Sequence, residues 1–201
     1  MLDGGAFTEL VNRVADFLQQ RGFGRRGAIF FRVRAGNWAL IELQKSQKTS
    51  ADAVVFTVNV GVVSERLARF FSIPLKPNQL PESSEWHWRR RLGFLLPEGQ
   101  DKWWTLRPST RVEEVSHEME GALELALPEI ERHLHDESLR DLWLTGRSPG
   151  LTEVQRLKNL TVLVKALGPE DRVAPILDEL RRVSRANAVL LEQKLQAGAS
   201  A

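Results

Sequence analysis

The sequence contains no cysteine, which removes disulfides, thiolate nucleophiles, iron–sulfur ligation and every zinc site that needs sulfur. A long apolar run is missing too. The most hydrophobic stretch, residues 54–63, is interrupted by Thr57, Asn59 and Gly61 and falls far short of the roughly 20 residues that cross a bilayer, so no membrane span is expected. The first twenty residues lack the basic start, unbroken apolar stretch and small-residue cleavage site of a secretory leader, and with the absent cysteine this gives a cytoplasmic expectation. Recognised catalytic signatures are also absent: there is no Gly-x-Ser-x-Gly elbow and no His-Glu-x-x-His. Lys45-Ser46 lacks the upstream glycines of a phosphate loop, and Glu42-Leu43-Gln44 stands in their place. Glu114 and His117 have the spacing of a carboxylate di-iron ligand pair, but no second copy exists, and His133 and His135 point in different directions on a helix. Neither a metal nor a cofactor is expected, and an enzyme without a recognisable motif stays open as one reading.

What is present suits a globular chain. At 201 residues, 42% hydrophobic and 27% charged, there is enough apolar mass for one substantial core, and a single domain over 1–201 is expected. Charge is unevenly placed. Lys and Arg number 16 against 10 Asp and Glu over residues 1–108, and 12 against 16 over 109–201, so the halves carry +6 and −4. Such asymmetry either steers an anionic partner to the first half or draws the two halves together.

Hydrophobic periodicity predicts a helix carrying Phe7, Leu10, Val11, Val14, Phe17 and Leu18, closed by Gly22 as a left-handed cap. Residues 28–34 and 38–45 read as strands joined by a hairpin turn at Ala35-Gly36-Asn37, and 54–60 as a third. Val63, Leu67, Phe70 and Phe71 return to helical spacing, after which Pro74, Pro77 and Pro81 forbid regular structure. Residues 86–96 and 103–106 look like further strands around the polar loop 97–101. From Thr110 onward the chain reads as helical, with capping boxes at Thr110/Glu113 and Thr152/Gln155 and one long helix running through Pro128. Asp136 is expected to cap a short helix. Gly168-Pro169 turns a helical hairpin whose second arm runs from Val173 to Leu191, and a disordered tail is expected from Gln196 to Ala201. The fold class is α+β: an antiparallel sheet of about five strands packed on helices, with an all-helical C-terminal half ending in a helical hairpin.

Strand alternation divides each strand into two faces. Ile29, Phe31 and Val33 are expected to face the core and Arg32 and Arg34 to face away; Val54, Phe56, Val58 and Val60 oppose Thr57 and Asn59; Trp86, Trp88, Leu92 and Phe94 oppose His87, Arg89 and Arg91. Arg90 falls on the apolar side, a misfit that a bulge would explain. The open face then gathers Arg32, Arg34, Glu42, Gln44, Thr57, Asn59, His87, Arg89 and Arg91, a set of guanidinium and amide groups fit to grip a carboxylate or phosphate, or simply the wetted side of an antiparallel sheet. Residues 22–27 spell Gly-x-Gly-x-x-Gly, but the segment leaves a helix and enters a strand, the reverse of a dinucleotide site, so a cap-and-turn role is expected.

The opening helix, Gly22-Phe23-Gly24-Arg25-Arg26-Gly27, Gln44-Lys45-Ser46, Phe56-Thr57-Val58-Asn59-Val60-Gly61, Arg91-Leu92-Gly93 and Trp103-Trp104, in that order between about Phe7 and Leu144, resemble the bacterial family catalogued as domain of unknown function 4304. The resemblance implies an intracellular α+β protein and carries over no catalytic residue. Where its motifs meet the alternation pattern, the candidate binding residues are Arg32, Gln44, Lys45, Ser46, Asn59, His87, Arg89, Arg91 and Trp103. The expected role is a binding or regulatory module for a protein partner with an acidic surface. Arg89-Arg90-Arg91 beside Trp86 and Trp88 keeps nucleic-acid binding as the alternative, since cations neutralise phosphates and rings stack on unpaired bases.

Overall fold

The computed structural model describes residues 5–50, 52–76 and 78–198. Pro77 of the expected proline-rich connection and Ala199 to Ala201 of the expected disordered tail lie outside the described residues. Helix α1, Gly5–Gln19, buries Phe7, Leu10, Val11, Val14 and Leu18 of the stripe expected of it and leaves Phe17 half-buried. Gly22 follows at φ +79°, with the amides of Gly22 and Phe23 bonded back to the Gln19 and Leu18 carbonyls. Strands β1 (Gly24–Arg26), β2 (Ile29–Arg34), β3 (Asn37–Lys45) and β4 (Val54–Val63) then form an antiparallel meander. β5 (Trp88–Arg91) and β6 (Trp104–Leu106) share the far edge of β4, β5 at its C-terminal end and β6 at its N-terminal end. The β2–β3 turn uses Ala35 and Gly36 at φ +49° and +84°, the pair of left-handed residues that matches strand twist in a two-residue hairpin. β1 was not expected. Its three residues are exposed on both faces, so no alternation marks it, and the expected cap-and-turn segment is a cap, an edge strand and a turn.

Helix α2, Glu65–Phe71, starts one residue after β4 ends, because the Ser64 side chain accepts the Leu67 amide and fixes the helix start there. Val63 accordingly ends the strand instead of opening the helix. The expected strand over 86–96 shrinks to β5. Gly93, whose missing Cβ would stand 2.3 Å from the Gln100 carbonyl, lets Leu92–Leu95 coil as a 3-10 turn against the 97–101 loop. Helices α3 (Val112–His133), α4 (Asp136–Leu144), α5 (Glu153–Leu167), α6 (Val173–Val183) and α7 (Arg185–Gly198) complete the helical half. α3 is continuous through Pro128. The Thr110 capping box does not form, since that hydroxyl accepts the Arg107 amide and Arg111 occupies the cap, whereas the Thr152/Gln155 box is complete. The cap of α4 is His135, with Asp136 its first residue. The hairpin's second arm is two helices. An extended Ser184 (φ −158°, ψ 94°) redirects the chain so that Ile176 and Leu180 on one piece and Ala188, Leu191 and Leu195 on the other are all buried. α7 also carries Gln196 to Gly198, part of the tail expected to be disordered.

Two apolar clusters sandwich the sheet. The main one joins α1, α3 and the later helices to Phe30, Ala39, Ile41, Leu43, Phe56, Val58, Val60, Val62, Trp88, Trp104 and Leu106. The smaller one lies on the opposite face, where Trp38, Leu40, Val63 and Trp86 pack with Ile29, Phe31, Ile73, Leu75 and Leu80 under the 73–86 connection. β2 is therefore inverted relative to expectation: Phe30 enters the main core, Ile29 and Phe31 meet the smaller one, and Val33 is exposed. Sequence alternation alone does not say which face is covered, and here both are.

The opposite charges of the two halves meet inside the molecule. Arg21 pairs with Glu124 at 2.6 Å, Arg34 with Glu131 at 3.1 Å, Arg66 with Asp136 at 3.1 Å and Lys102 with Glu118 at 2.5 Å, and Arg32 also pairs with Glu131. The buried Asn37 ties the same seam, donating to the Leu134 carbonyl (2.8 Å) and accepting the Glu65 amide (2.7 Å). Among the described residues, no helix is long and apolar enough to cross a membrane.

Candidate functional site

The register of β3, β4 and β5 decides which polar side chains share a face. Glu42 is paired with Asn59, Gln44 with Thr57, and Asn59 with Arg91 on its other side. Together with Arg89, which is opposite Gly61, these residues occupy the half of the outer face that the 73–86 connection leaves free. Asn59, almost fully buried, donates through Nδ2 to Glu42 Oε2 (3.1 Å) and Gln44 Oε1 (2.8 Å), so the amide bridges two acceptors of the neighbouring strand. Thr57 donates to the Lys102 carbonyl at 2.9 Å and anchors the loop that carries Asp101 and Trp103.

Arg91 pairs with Asp101, whose Oδ2 also accepts Trp103 Nε1 at 3.0 Å, and the guanidinium lies 4.8 Å from the centre of the Trp103 ring. Trp103 remains 41% exposed, so the clamp presents an aromatic edge to solvent. Arg89 donates to the Ser83 carbonyl (2.9 Å) and to the Gly150 carbonyl (3.4 Å), and no carboxylate pairs with it among the described residues. A cleft of about 600 Å³ opens here, bounded by Gln44, Asn59, Arg89, Arg90, Arg91 and Asp101 and closed at one side by Pro149-Gly150 of the α4–α5 loop. Its walls hold three guanidiniums and one carboxylate, and among the described residues none comes from α6 or α7.

The structure brings Gln44, Asn59, Arg89, Arg91 and Trp103 of the candidate set into one neighbourhood and disperses the others. Arg32 and Arg34 extend from the helix-covered face toward Glu131; Arg32 also donates to the Arg21 carbonyl (2.9 Å) and lies over the Phe23 ring, and burial lowers its pKa. Lys45 is on that same face, 4.5 Å from the Phe7 ring centre. Ser46 closes the β3–β4 connection, its amide bonded to the Val55 carbonyl and its hydroxyl accepting the Lys48 amide. His87 is buried: Nδ1 accepts the Ser64 amide at 3.0 Å, Nε2 has no partner, and desolvation pushes its pKa down to about 3. The cavities lined by Arg91 and His87 are separate, and neither is lined by Lys45, so no single pocket joins the three.

Arg90 needs no bulge. It pairs with Val60 in regular register, and the break in alternation sits one step earlier, at the bend of His87, which puts Trp86 and Trp88 in opposite clusters. Sequence reasoning missed Asp101, Phe94 and the Pro149-Gly150 loop as parts of the cleft. Asp101 stood in a polar loop beside a tryptophan, which was a usable signal, whereas nothing local marks a loop 61 residues away as the neighbour of Arg89. Among the described residues no group of three or more His, Asp or Glu side chains is placed to hold a metal ion.

In comparison with known families, the family described as Domain of unknown function (DUF4304) matches residues 14–132, from within α1 to the last turn of α3. That span is narrower than the one from Phe7 to Leu144 suggested by the short motifs, but it holds every strand, the Asn59–Arg91 pair and Trp103. No curated protein and no solved structure matches the chain.

Proposed function

Starting from the premise that this chain belongs to the DUF4304 family, we propose that it is a binding module whose β5 cleft holds the carboxylates of an acidic protein partner. One observation carries the reading. Arg21, Arg32, Arg34, Arg66 and Lys102 of the first half are spent on Glu124, Glu131, Asp136 and Glu118 of the second, while Arg89 and Arg90 pair with no carboxylate among the described residues and stand with Arg91 around an open cleft. Guanidinium forks hold carboxylates by two parallel hydrogen bonds, and partly dehydrated walls strengthen such bonds. The neighbouring Gln44 and Trp103 add an amide and a ring at the rim.

A protein partner is preferred to a nucleic acid because the three guanidiniums of the cleft gather on one short strand, whereas nucleic-acid surfaces usually spread basic charge along a broad face. The cysteine-free composition and the family resemblance support a bacterial cytoplasmic setting for that partner. Fluorescence anisotropy with labelled polyglutamate and labelled single-stranded DNA, each across a salt series, tests the reading. Polyglutamate is expected to bind at low salt and to lose affinity in Arg89→Ala and Arg91→Ala. Binding of DNA alone, with a steep salt slope, would replace the protein partner by a nucleic acid.

A further inference from the structure

A second cavity, of about 550 Å³, lies on the helix side of β5, between the strand and the last turns of α3. Three arginines from three elements line it: Arg90 of β5, Arg132 of α3 and Arg147 of the α4–α5 loop. The one carboxylate in the wall, Glu129, is already engaged, accepting Arg132 Nη2 and meeting His133 Nε2, each at 3.1 Å. Arg147 makes no ion pair among the described residues, and Arg90 reaches only the Phe94 carbonyl, at 3.4 Å. The lining therefore has two guanidiniums without a counter-charge.

His133 lies in the same wall. It is 1% exposed, its ring lies 4.7 Å from that of Trp88, and its Nδ1 is buried with no hydrogen-bond partner. Burial lowers the pKa of this ring against the opposing pull of Glu129. The remaining wall is apolar, and two of its members are exposed without covering neighbours: Phe94 at 44% and Leu125 at 59%.

We propose that this cavity binds a small organic oxyanion, a phosphate monoester or carboxylate carried on an apolar body, with Arg90 and Arg147 on the oxyanion and Phe94 and Leu125 on the body. Concave walls that set a few convergent polar groups beside apolar side chains are the usual form of small-ligand sites, and here the guanidiniums supply much of the wall. Arg90, Phe94 and Pro149 line both cavities, so the two readings are told apart by Arg147, which lines this cavity and not the β5 cleft, and by Arg91, which lines the cleft and not this cavity.

Titration calorimetry of the full chain with phenyl phosphate, benzoate, inorganic phosphate and benzyl alcohol tests it. Saturable binding of phenyl phosphate or benzoate is expected, and whichever is tighter identifies the anion class. Inorganic phosphate and benzyl alcohol, each carrying half of the recognition, should bind at least about tenfold more weakly. Arg147→Ala, at an exposed residue with no bond to lose, should fold normally and weaken the anion about tenfold, with Arg91→Ala leaving it unchanged. No saturable anion binding, or equal affinity in wild type and Arg147→Ala, overturns the inference. Polyglutamate binding to the β5 cleft would survive that failure, and its own loss would leave phenyl phosphate binding intact.

Discussion

The two faces of the sheet treat polar side chains differently. On the helix-covered face Arg32 and Arg34 are consumed by one carboxylate, Glu131, and Asn37 is consumed by two helix ends. On the outer face the halves diverge again: the end nearer α2 is sealed by Trp86 and the proline-rich connection, and the other end leaves Arg89 and Arg91 beside an open cleft. A strand thus supplies arginines of the same composition to opposite purposes. The ones that meet a carboxylate across the halves join the two halves, and the ones that meet carbonyls or a neighbouring loop are those our proposal assigns to an outside anion. Part of the charge asymmetry is spent between the two halves, and two of the arginines that make no ion pair among the described residues, Arg89 and Arg90, sit on β5.

The sealed end should prove the most sensitive to conditions, through His87. Its pKa is about 6.5 in the unfolded chain and about 3 in the fold, so between those values the unfolded state binds the extra proton. The stability contributed by the neutral ring is complete above pH 6.5 and is lost as pH falls toward 3, reaching about 3 kcal/mol by pH 4.5. Urea denaturation of wild type and His87→Asn at pH 7 and pH 4.5 checks this. Asparagine keeps an acceptor for the Ser64 amide and cannot titrate, so the variant should lose about 3 kcal/mol less than wild type between the two values; equal losses would break the assignment. Next in size is Gly61→Ala. A Cβ there would stand 2.2 Å from the Trp86 ring and 2.8 Å from the Trp88 carbonyl, and lifting Trp86 off the sheet should cost about 2 kcal/mol in the same measurement.

Much of this architecture was legible because it rests on local rules. The α1 stripe, the Ala35-Gly36 turn, the faces of β3 and β4 and the Thr152 cap each follow from spacing within a few residues. The readings that fell did so where a distant contact decides. β2 inverted because a second apolar layer, made by residues 73–86, covers the face that a two-layer picture leaves wet. The long second arm of the hairpin broke at an extended Ser184 so that both pieces bury apolar residues, while Thr110, a local exception, lost its cap to a turn with Arg107. The candidate residues divide along the same line: Asn59 and Arg91 come together through strand register, whereas Arg32 was assigned to the wrong side by that inversion.

Arg32 and Arg91 make the sharpest test of the contrast between faces, because both are half-covered arginines paired with one carboxylate. Arg32→Ala removes a guanidinium packed over Phe23 and bonded to the Arg21 carbonyl, but leaves Glu131 still paired with Arg34, so a loss of about 1–2 kcal/mol is expected in urea denaturation, with polyglutamate affinity unchanged. Arg91→Ala is expected to cost less than about 1 kcal/mol, since its partner Asp101 is exposed and remains bonded to Trp103, yet it should lower polyglutamate affinity about tenfold. Measuring both quantities on both variants separates the roles. A pair of results in which each arginine affects stability alone would mean that β5, like the helix-covered face, uses its charge only to hold the fold.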